Sequence, residues 1–335
     1  MAKLSIIIST RNVEQLVVDC LRSLRRFPPT CVYEVLVVDN ASTDGTVTAI
    51  KSEFPEVVIL LNETDMGFAA ANNRGMREAR GECVLLLNSD TKLTAGAFDA
   101  LVGFLDDRED VAAAAPKLLN NDGSLQRSWY QFPSPGKTIL HILGVREFLL
   151  RILHSTLVKS FSRFLPGLAF YTRELDQQTP RRADYVLFAC IVLRRSALEK
   201  VGLLDEGLFF YHEDCEYGYR LFKAGLQIWW VPNSKVIHLG GGFSRSAAEE
   251  SYRHYFESLL HVFSKHESAL TALALRGTIF LGFALRAALT PLGFYRGLEI
   301  PSTYASRREG AKQDFGSAID RFRYYTSIAA LAWRH

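Results

Sequence analysis

Along its first 120 residues the chain alternates short apolar runs with helix-length amphipathic stretches. LSIIIS (Leu4 to Ser9), YEVLVVD (Tyr33 to Asp39), VVILLN (Val57 to Asn62) and CVLLLNSD (Cys83 to Asp90) read as four strands. This is the pattern of βαβ units around a mainly parallel sheet. Each run ends in polar residues: Thr10-Arg11-Asn12, Asp39-Asn40, the stretch from Asn62 to Gly67, and Asn88-Ser89-Asp90. In an open α/β sheet the ligand lies just beyond the carboxyl ends of the strands, so these four segments are expected around one crevice.

The texture changes after Asp122-Gly123. Residues 127–182 read as an insertion carrying Pro133, Pro135, Pro166 and Pro180. Within it Val145, Leu149, Ile152, Leu153, Leu157, Phe161 and Phe164 recur at helical spacing, with Arg151, Lys159 and Arg163 on the other side. That is a basic amphipathic helix, suited to packing on the protein's own core or to lying on a membrane. From Asp184 the α/β character returns. YVLFACIVL reads as a strand, RRSALEKVG as a helix ending at Gly202, EDCEYGYRLFKAG as a helix closing on Gly225, IWWVP as a strand stopped by Pro232, and VIHLGGGFSR as a glycine-rich loop. Residues 251–335 read as helical, and their most apolar stretch, about 269–295, is interrupted by Arg276 and Arg286, which argues against a bilayer span.

Composition changes this picture in one respect. Thirty-nine Lys+Arg against 36 Asp+Glu give a formal charge of +3, which excludes a protein built to neutralise many phosphates, so nucleic acid is not an expected partner. The charge is regional, however. Residues 137–182 carry eight basic and three acidic side chains and residues 251–335 eleven and six, leaving the remainder at −7. The five cysteines form no CxxC pair, which fits a reducing compartment, and MAKLSIIIST lacks the length and cleavage site of a signal peptide. A cytoplasmic location is expected.

The candidate chemistry is acidic. Asp39 and Asp90 stand at strand ends, where oxygen ligands suit a hard cation such as Mg²⁺ or Mn²⁺, although polar residues after a strand often do no more than form the turn. His212-Glu213-Asp214 opens a helix. One of its carboxylates can favour the helix dipole while the other serves as a general base toward a hydroxyl. His238 lies in a glycine-rich segment and by itself reads equally as a structural histidine.

The order of these segments is informative. LSIIISTRN, VLVVDNASTDGT, NETDMGFAAANNRG, CVLLLNSD, DYVLFACIVLRRSALEKVGLLDEGLFFYHEDCEYGYRLFKAG and VIHLGGGFSR follow one another at the spacing found in the family 2 glycosyltransferases, and the chain resembles their rhamnosyltransferase-like branch over about residues 3–126 and 183–245. The resemblance implies a GT-A fold, a Rossmann-like, mainly parallel sheet flanked by helices; the helical insertion and the helical C-terminal region read from the residues lie outside the recognisable core. Together they give a catalytic domain over 1–250, comprising a nucleotide-sugar half (1–126), the basic insertion (127–182) and an acceptor and base half (183–250), followed by 251–335. The resemblance implies an inverting transfer from a nucleotide-diphosphate sugar, with Mg²⁺ or Mn²⁺ as cofactor. By position, Asp39 would hydrogen-bond the pyrimidine, with Thr10 and Arg11 beside it. Asp90, with Asn88 and Ser89 in the DxD-like NSD, would hold the metal together with His238. Gly67, Asn72, Asn73 and Arg74 would lie beside the diphosphate, and Asp214 would be the base, with Glu213 orienting the acceptor or capping the helix.

The expected donor is dTDP-rhamnose, with UDP-sugars as the alternative, and the expected acceptor is a glycan or lipid-linked glycan in surface-polysaccharide synthesis. The regional basic charge points to the anionic inner face of the cell membrane, and the apolar C-terminal region to membrane or a second copy in a homodimer. Two readings compete. A sugar nucleotidyltransferase would carry a glycine-rich phosphate loop where this chain has Ser9-Thr10-Arg11-Asn12. A non-catalytic nucleotide-sugar-binding protein would not need Asp39, Asp90, Asp214 and His238 together.

Overall fold

The structure is a computed structural model that describes residues 2–136, 138, 177–240, 247–289 and 318–333. The amphipathic helix expected over 145–164 lies outside the described residues, as does 290–295 of the apolar C-terminal stretch. The described chain divides into two compact units: one contains residues up to Phe132 and Pro180–Ser258, and the other contains the helices from Leu259 onward.

In the first unit, β1 (Leu4–Thr10), β2 (Tyr33–Asp39), β3 (Val58–Leu61) and β4 (Cys83–Asn88) alternate with α1 (Glu14–Arg26), α2 (Thr46–Glu53) and α3 (Gly67–Glu78). The four strands are parallel, in the order β3-β2-β1-β4. β1, β2 and β4 read as apolar runs because both faces are covered, whereas the edge strand β3 leaves Val58 and Leu61 exposed. Leu4, Ile6 and Ile8 of β1 and Cys83, Leu85 and Leu87 of β4 enter one core cluster, while Ile7, Val84 and Leu86 enter the other. The period of two divides each strand between two layers of helices. α3 lies close on this sheet at Gly75, where an added Cβ would come within 2.5 Å of Ile7 Cγ2.

After β5 (Thr91–Leu93) and α4 (Ala97–Asp106), the sheet continues through β6 (Val111–Leu119). β7 (Leu125–Gln126) pairs with β6, and β8 (Trp129–Tyr130) follows it. Beyond the segment around 137–176 come β9 (Arg181–Ala183), β10 (Tyr185–Val186), β11 (Cys190–Arg194), α5 (Arg195–Val201), α6 (Glu213–Lys223) and β12 (Gln227–His238). β11 is inserted antiparallel between β4 and β6, and β12 runs parallel to β6 and antiparallel to β5 and β9.

Three local expectations need correcting. YVLFACIVL is two strands, because Leu187–Ala189 leaves the pairing with β8 before Cys190 joins β4. Pro232 does not stop the last strand. β12 passes through it with an irregularity between Val231 and Lys235, the sort of site where a strand tolerates a proline, and so Val236–His238 are strand and not loop. The edges of the stretch read as insertion belong to the core: Trp129–Tyr130 pairs with β10 and Arg181–Ala183 with β12.

α7 (Ala247–His266) contributes its residues up to Ser258 to the first unit. In the second unit, α8 (Ala269–Leu289) packs on α9 (Ala318–Leu331) with Phe283 beside Tyr325, and Ile279, Ala287, Ile328 and Ala329 are also buried. Arg276 and Arg286 do not interrupt α8. Arg276 Nη1 donates to Ala332 O at 2.9 Å, and Arg286 is buried with its Nη1 on Gly282 O. By length and composition alone Ala269–Ala288 is long and apolar enough to cross a membrane with the two arginines included, a criterion that the core helix of a soluble protein also meets.

Candidate active site

The carboxyl ends of β1 and β2 hold two buried oxygens without partners. Thr10 and Asp39 are neighbours in the parallel register. Asp39 is 3% exposed, and its Oδ2 accepts from Ser42 N at 3.0 Å. Its Oδ1 has no hydrogen-bond partner among the described residues, and neither has Thr10 Oγ1. A buried polar group left unpaired costs about 1–3 kcal/mol, so a pair of them at a strand end suits a ligand that supplies the missing donors. The turns that follow are strained in the same place: Asn12 (φ 50°) and Ala41 (φ 61°) sit in the left-handed region, which residues other than glycine rarely adopt. Asn12 Oδ1, accepting from Thr43 N at 2.7 Å, ties the two turns together.

Asp65, which the sequence reading passed over, organises the third segment. Its Oδ1 accepts from Asn40 Nδ2 (2.5 Å) and Gly67 N (3.1 Å), and its Oδ2 from Arg11 Nη1 (2.5 Å). One carboxylate therefore holds Arg11, the turn after β2 and the start of α3. The bond from Gly67 N closes a local Asx turn just before the helix, and the wider role is visible only from the contacts.

Gly67, Asn72, Asn73 and Arg74, expected beside a diphosphate, are held by contacts within the protein. Gly67 (φ 76°) is glycine because a Cβ would come within 2.5 Å of Phe209 O. Asn72 Nδ2 donates to Ser9 Oγ and Phe68 O, which pins α3 to β1. Asn73 is buried, donating to Leu204 O and Glu206 and accepting from Leu204 N. Arg74 donates to Leu61 O and Asn62 Oδ1. Their close neighbours are the protein's own β1, β3 and 204–209 segments.

The fourth segment joins residues far apart in the chain. Asn88 closes β4, and Ser89 sits in the turn that delivers Asp90. β5 pairs with the end of β12, with His238 opposite Thr91, and Leu239 N donates to Asp90 O at 2.9 Å. This brings His238 Nε2 within 3.3 Å of Asp90 Oδ1. Among the described residues no cluster of three or more His, Cys, Asp and Glu forms a metal cage. One carboxylate and one imidazole still fit a divalent cation that takes the rest of its ligands from water and substrate phosphate, as Mg²⁺ usually does.

The fifth segment is the start of α6. Tyr211 (φ 71°) and His212 (φ 64°) are both left-handed, so every non-glycine residue of positive φ among those described flanks a segment singled out for chemistry. Glu213 (7% exposed) and Asp214 (4%) are buried side by side. Burial, and then the Asp214 charge, push the Glu213 carboxyl up to about 8, so it is protonated at neutral pH; its Oε1 has no partner among the described residues. Asp214 Oδ1 accepts from Cys215 N at 2.7 Å. Burial holds His212 neutral by pulling its pKa down to about 3. Glu216, on the same turn, is neutralised by Arg220 at 2.8 Å. The helix N-terminus favours these acidic groups, and Gly218, within 2.7 Å of Asp184 O at its would-be Cβ, fixes α6 against the β9–β10 turn.

The profile of "Glycosyl transferase family 2" matches residues 5–202. The chain belongs to that family. It is 30% identical over 268 residues, 76% of this chain and 82% of the other, to an N-acetylglucosaminyl-diphospho-decaprenol L-rhamnosyltransferase of Mycobacterium tuberculosis (strain CDC 1551 / Oshkosh). Two solved structures share the fold at low identity. GalNAc-T7 with UDP, GalNAc and Mn²⁺ gives a TM-score of 0.56 at 15% identity over 98% of this chain and 57% of that one. The mannosyltransferase PcManGT from Pyrobaculum calidifontis, with GDP-Man and Mn²⁺, gives 0.52 at 17% over 99% and 84%. The fold is therefore GT-A, and membership of a glycosyltransferase family sets aside the nucleotidyltransferase reading.

Proposed function

We propose that this family 2 glycosyltransferase transfers L-rhamnose from dTDP-rhamnose to a hydroxyl of a lipid-linked glycan, with inversion, in the synthesis of a cell-surface polysaccharide. The observation that carries the donor class is the pair of buried, unpartnered oxygens on Thr10 and Asp39. A pyrimidine offers Asp39 Oδ1 the N–H donor it lacks, and Arg11, ion-paired with Asp65, would lie beside it. The Mycobacterium tuberculosis relative supports both the sugar and the lipid-linked acceptor, since its name carries both.

In the reaction, Asp214 takes the proton of the acceptor hydroxyl as its oxygen bonds to the anomeric carbon, while the bond from that carbon to the diphosphate breaks and the nucleoside diphosphate leaves. Protonated Glu213 beside it can donate a hydrogen bond to the acceptor. Asp90 and His238 would hold Mg²⁺ or Mn²⁺ at the crevice. Such a cation, when bound, offsets the charge that develops on the departing diphosphate.

Calorimetry with Mn²⁺ and a panel of nucleotide sugars tests this. dTDP-rhamnose is expected to bind most tightly. A UDP-sugar binding more tightly would overturn the rhamnose assignment and leave the donor class, and no binding across the panel would overturn both.

The proposal extends to location: the enzyme works at the cytoplasmic face of the membrane. Its support is the excess of basic residues in 137–182 and 251–335, together with the exposed apolar side chains Leu270, Leu273, Leu281 and Leu285 on α8. Sedimentation with anionic liposomes is expected to carry the protein into the pellet at low salt; a protein left in the supernatant would count against it.

A further inference from the structure

The amide of Gln126, at the end of β7, lies between three polar groups. Its Nε2 is 3.2 Å from Asn120 Oδ1 and 3.5 Å from His238 O. Asn120 directs its own Nδ2 to Ser124 Oγ, which leaves Oδ1 as the atom facing Gln126. Both neighbours of Nε2 are therefore acceptors, and the orientation of the Gln126 amide follows: Nε2 donates and Oε1 accepts. Oε1 lies 2.7 Å from His238 Nδ1. A carbonyl oxygen can only accept, so Nδ1 carries the ring hydrogen.

The consequence falls on the other nitrogen. In a neutral imidazole with its hydrogen on Nδ1, Nε2 presents a lone pair, and here it faces Asp90 Oδ1 at 3.3 Å. Such a contact needs a positive charge, which is either a second ring proton on Nε2, making His238 an imidazolium paired with Asp90, or a cation bound to both groups. Adjacent ligands each about 2.1 Å from one divalent cation stand about 3 Å apart, close to the spacing found.

We infer that Gln126 is a positioning residue: it selects the Nδ1–H tautomer of His238 and so leaves Nε2 free to ligate a divalent cation together with Asp90. The inference rests on the assignment of that cation site under the proposed function. Partners of this kind, hydrogen-bonded to a ligating histidine, change metal affinity by about 10–100-fold when removed.

The test uses the full chain without donor or acceptor, so it reads the site and not turnover. Mn²⁺ affinity is followed by electron paramagnetic resonance, and the His238 tautomer by long-range ¹H–¹⁵N NMR of the metal-free protein. Wild type is expected to show Nδ1 protonated and Nε2 bare. Gln126→Leu, which removes the acceptor, is expected to weaken Mn²⁺ binding about 10–100-fold in protein that circular dichroism shows to be folded. Gln126→Glu, which keeps an acceptor for Nδ1–H but sets its other oxygen toward Asn120 Oδ1 and His238 O, is expected to bind Mn²⁺ more tightly than Gln126→Leu. Equal Mn²⁺ affinity in wild type and Gln126→Leu would overturn the inference and leave the cation site standing. A wild-type spectrum with the hydrogen on Nε2 would overturn it without any variant. Failure of wild type to bind Mn²⁺ would overturn the cation site and the inference with it.

Discussion

Asp214→Asn is expected to lower kcat by about 10²–10⁴-fold while leaving donor and Mn²⁺ binding near the wild-type values. Asparagine matches aspartate in size, and its carbonyl oxygen can still accept from Cys215 N, so the buried start of α6 keeps its shape. What it cannot do is take a proton from a sugar hydroxyl. Glu213 is a poor substitute because burial keeps its proton on below about pH 8. The adjacent carboxylates are told apart by Glu213→Gln, which replaces a neutral acid by a neutral amide and is expected to retain most of the activity. Single-turnover transfer measured at saturating donor checks both. Unchanged turnover in Asp214→Asn, or a loss of equal size in Glu213→Gln, would remove the base assignment from Asp214.

Asp90→Ala is expected to abolish the dependence of donor affinity on divalent cation, with Mn²⁺-supported binding weakened by at least about 100-fold. Removing the hydrogen-bonded partner of a metal ligand already costs up to about that much, and Asp90 is proposed as the ligand itself. Its removal leaves His238 as the sole protein donor of the pair and removes the negative charge that makes a cation welcome beside a diphosphate. Calorimetric titration of donor with and without Mn²⁺ reads the effect. Affinity that still rises on adding Mn²⁺ in the variant would sink the ligand role.

The two predictions differ in how much of them could be read before the fold was known. Asp90 and Asp39 are legible because a parallel strand buried on both faces is apolar along its length, so the first acidic residue after it marks the sheet's ligand-binding edge. Glu213 and Asp214 are legible as acidic residues opening a helix. Which of the two carries a proton is not, since that depends on how much water the surrounding residues exclude. Gly67 and Asn73 show what the sequence leaves out. Their motif is recognisable, yet the atoms that require them, Phe209 O and Leu204 O, come from the other half of the unit.

Local pattern was enough for the strands, their βα alternation, the four polar strand ends and the order of motifs that marks the family, because burial on a pleated surface imposes its period on neighbouring residues. Contacts between distant segments obey no such period. The 3.3 Å approach of His238 to Asp90 depends on β12 running on through Pro232 to pair with β5, and Gln126 reaches His238 because β7 folds back on β6. Neither the proline nor the glutamine announces this in the chain, since each acts through a strand register that exists only once the sheet has formed.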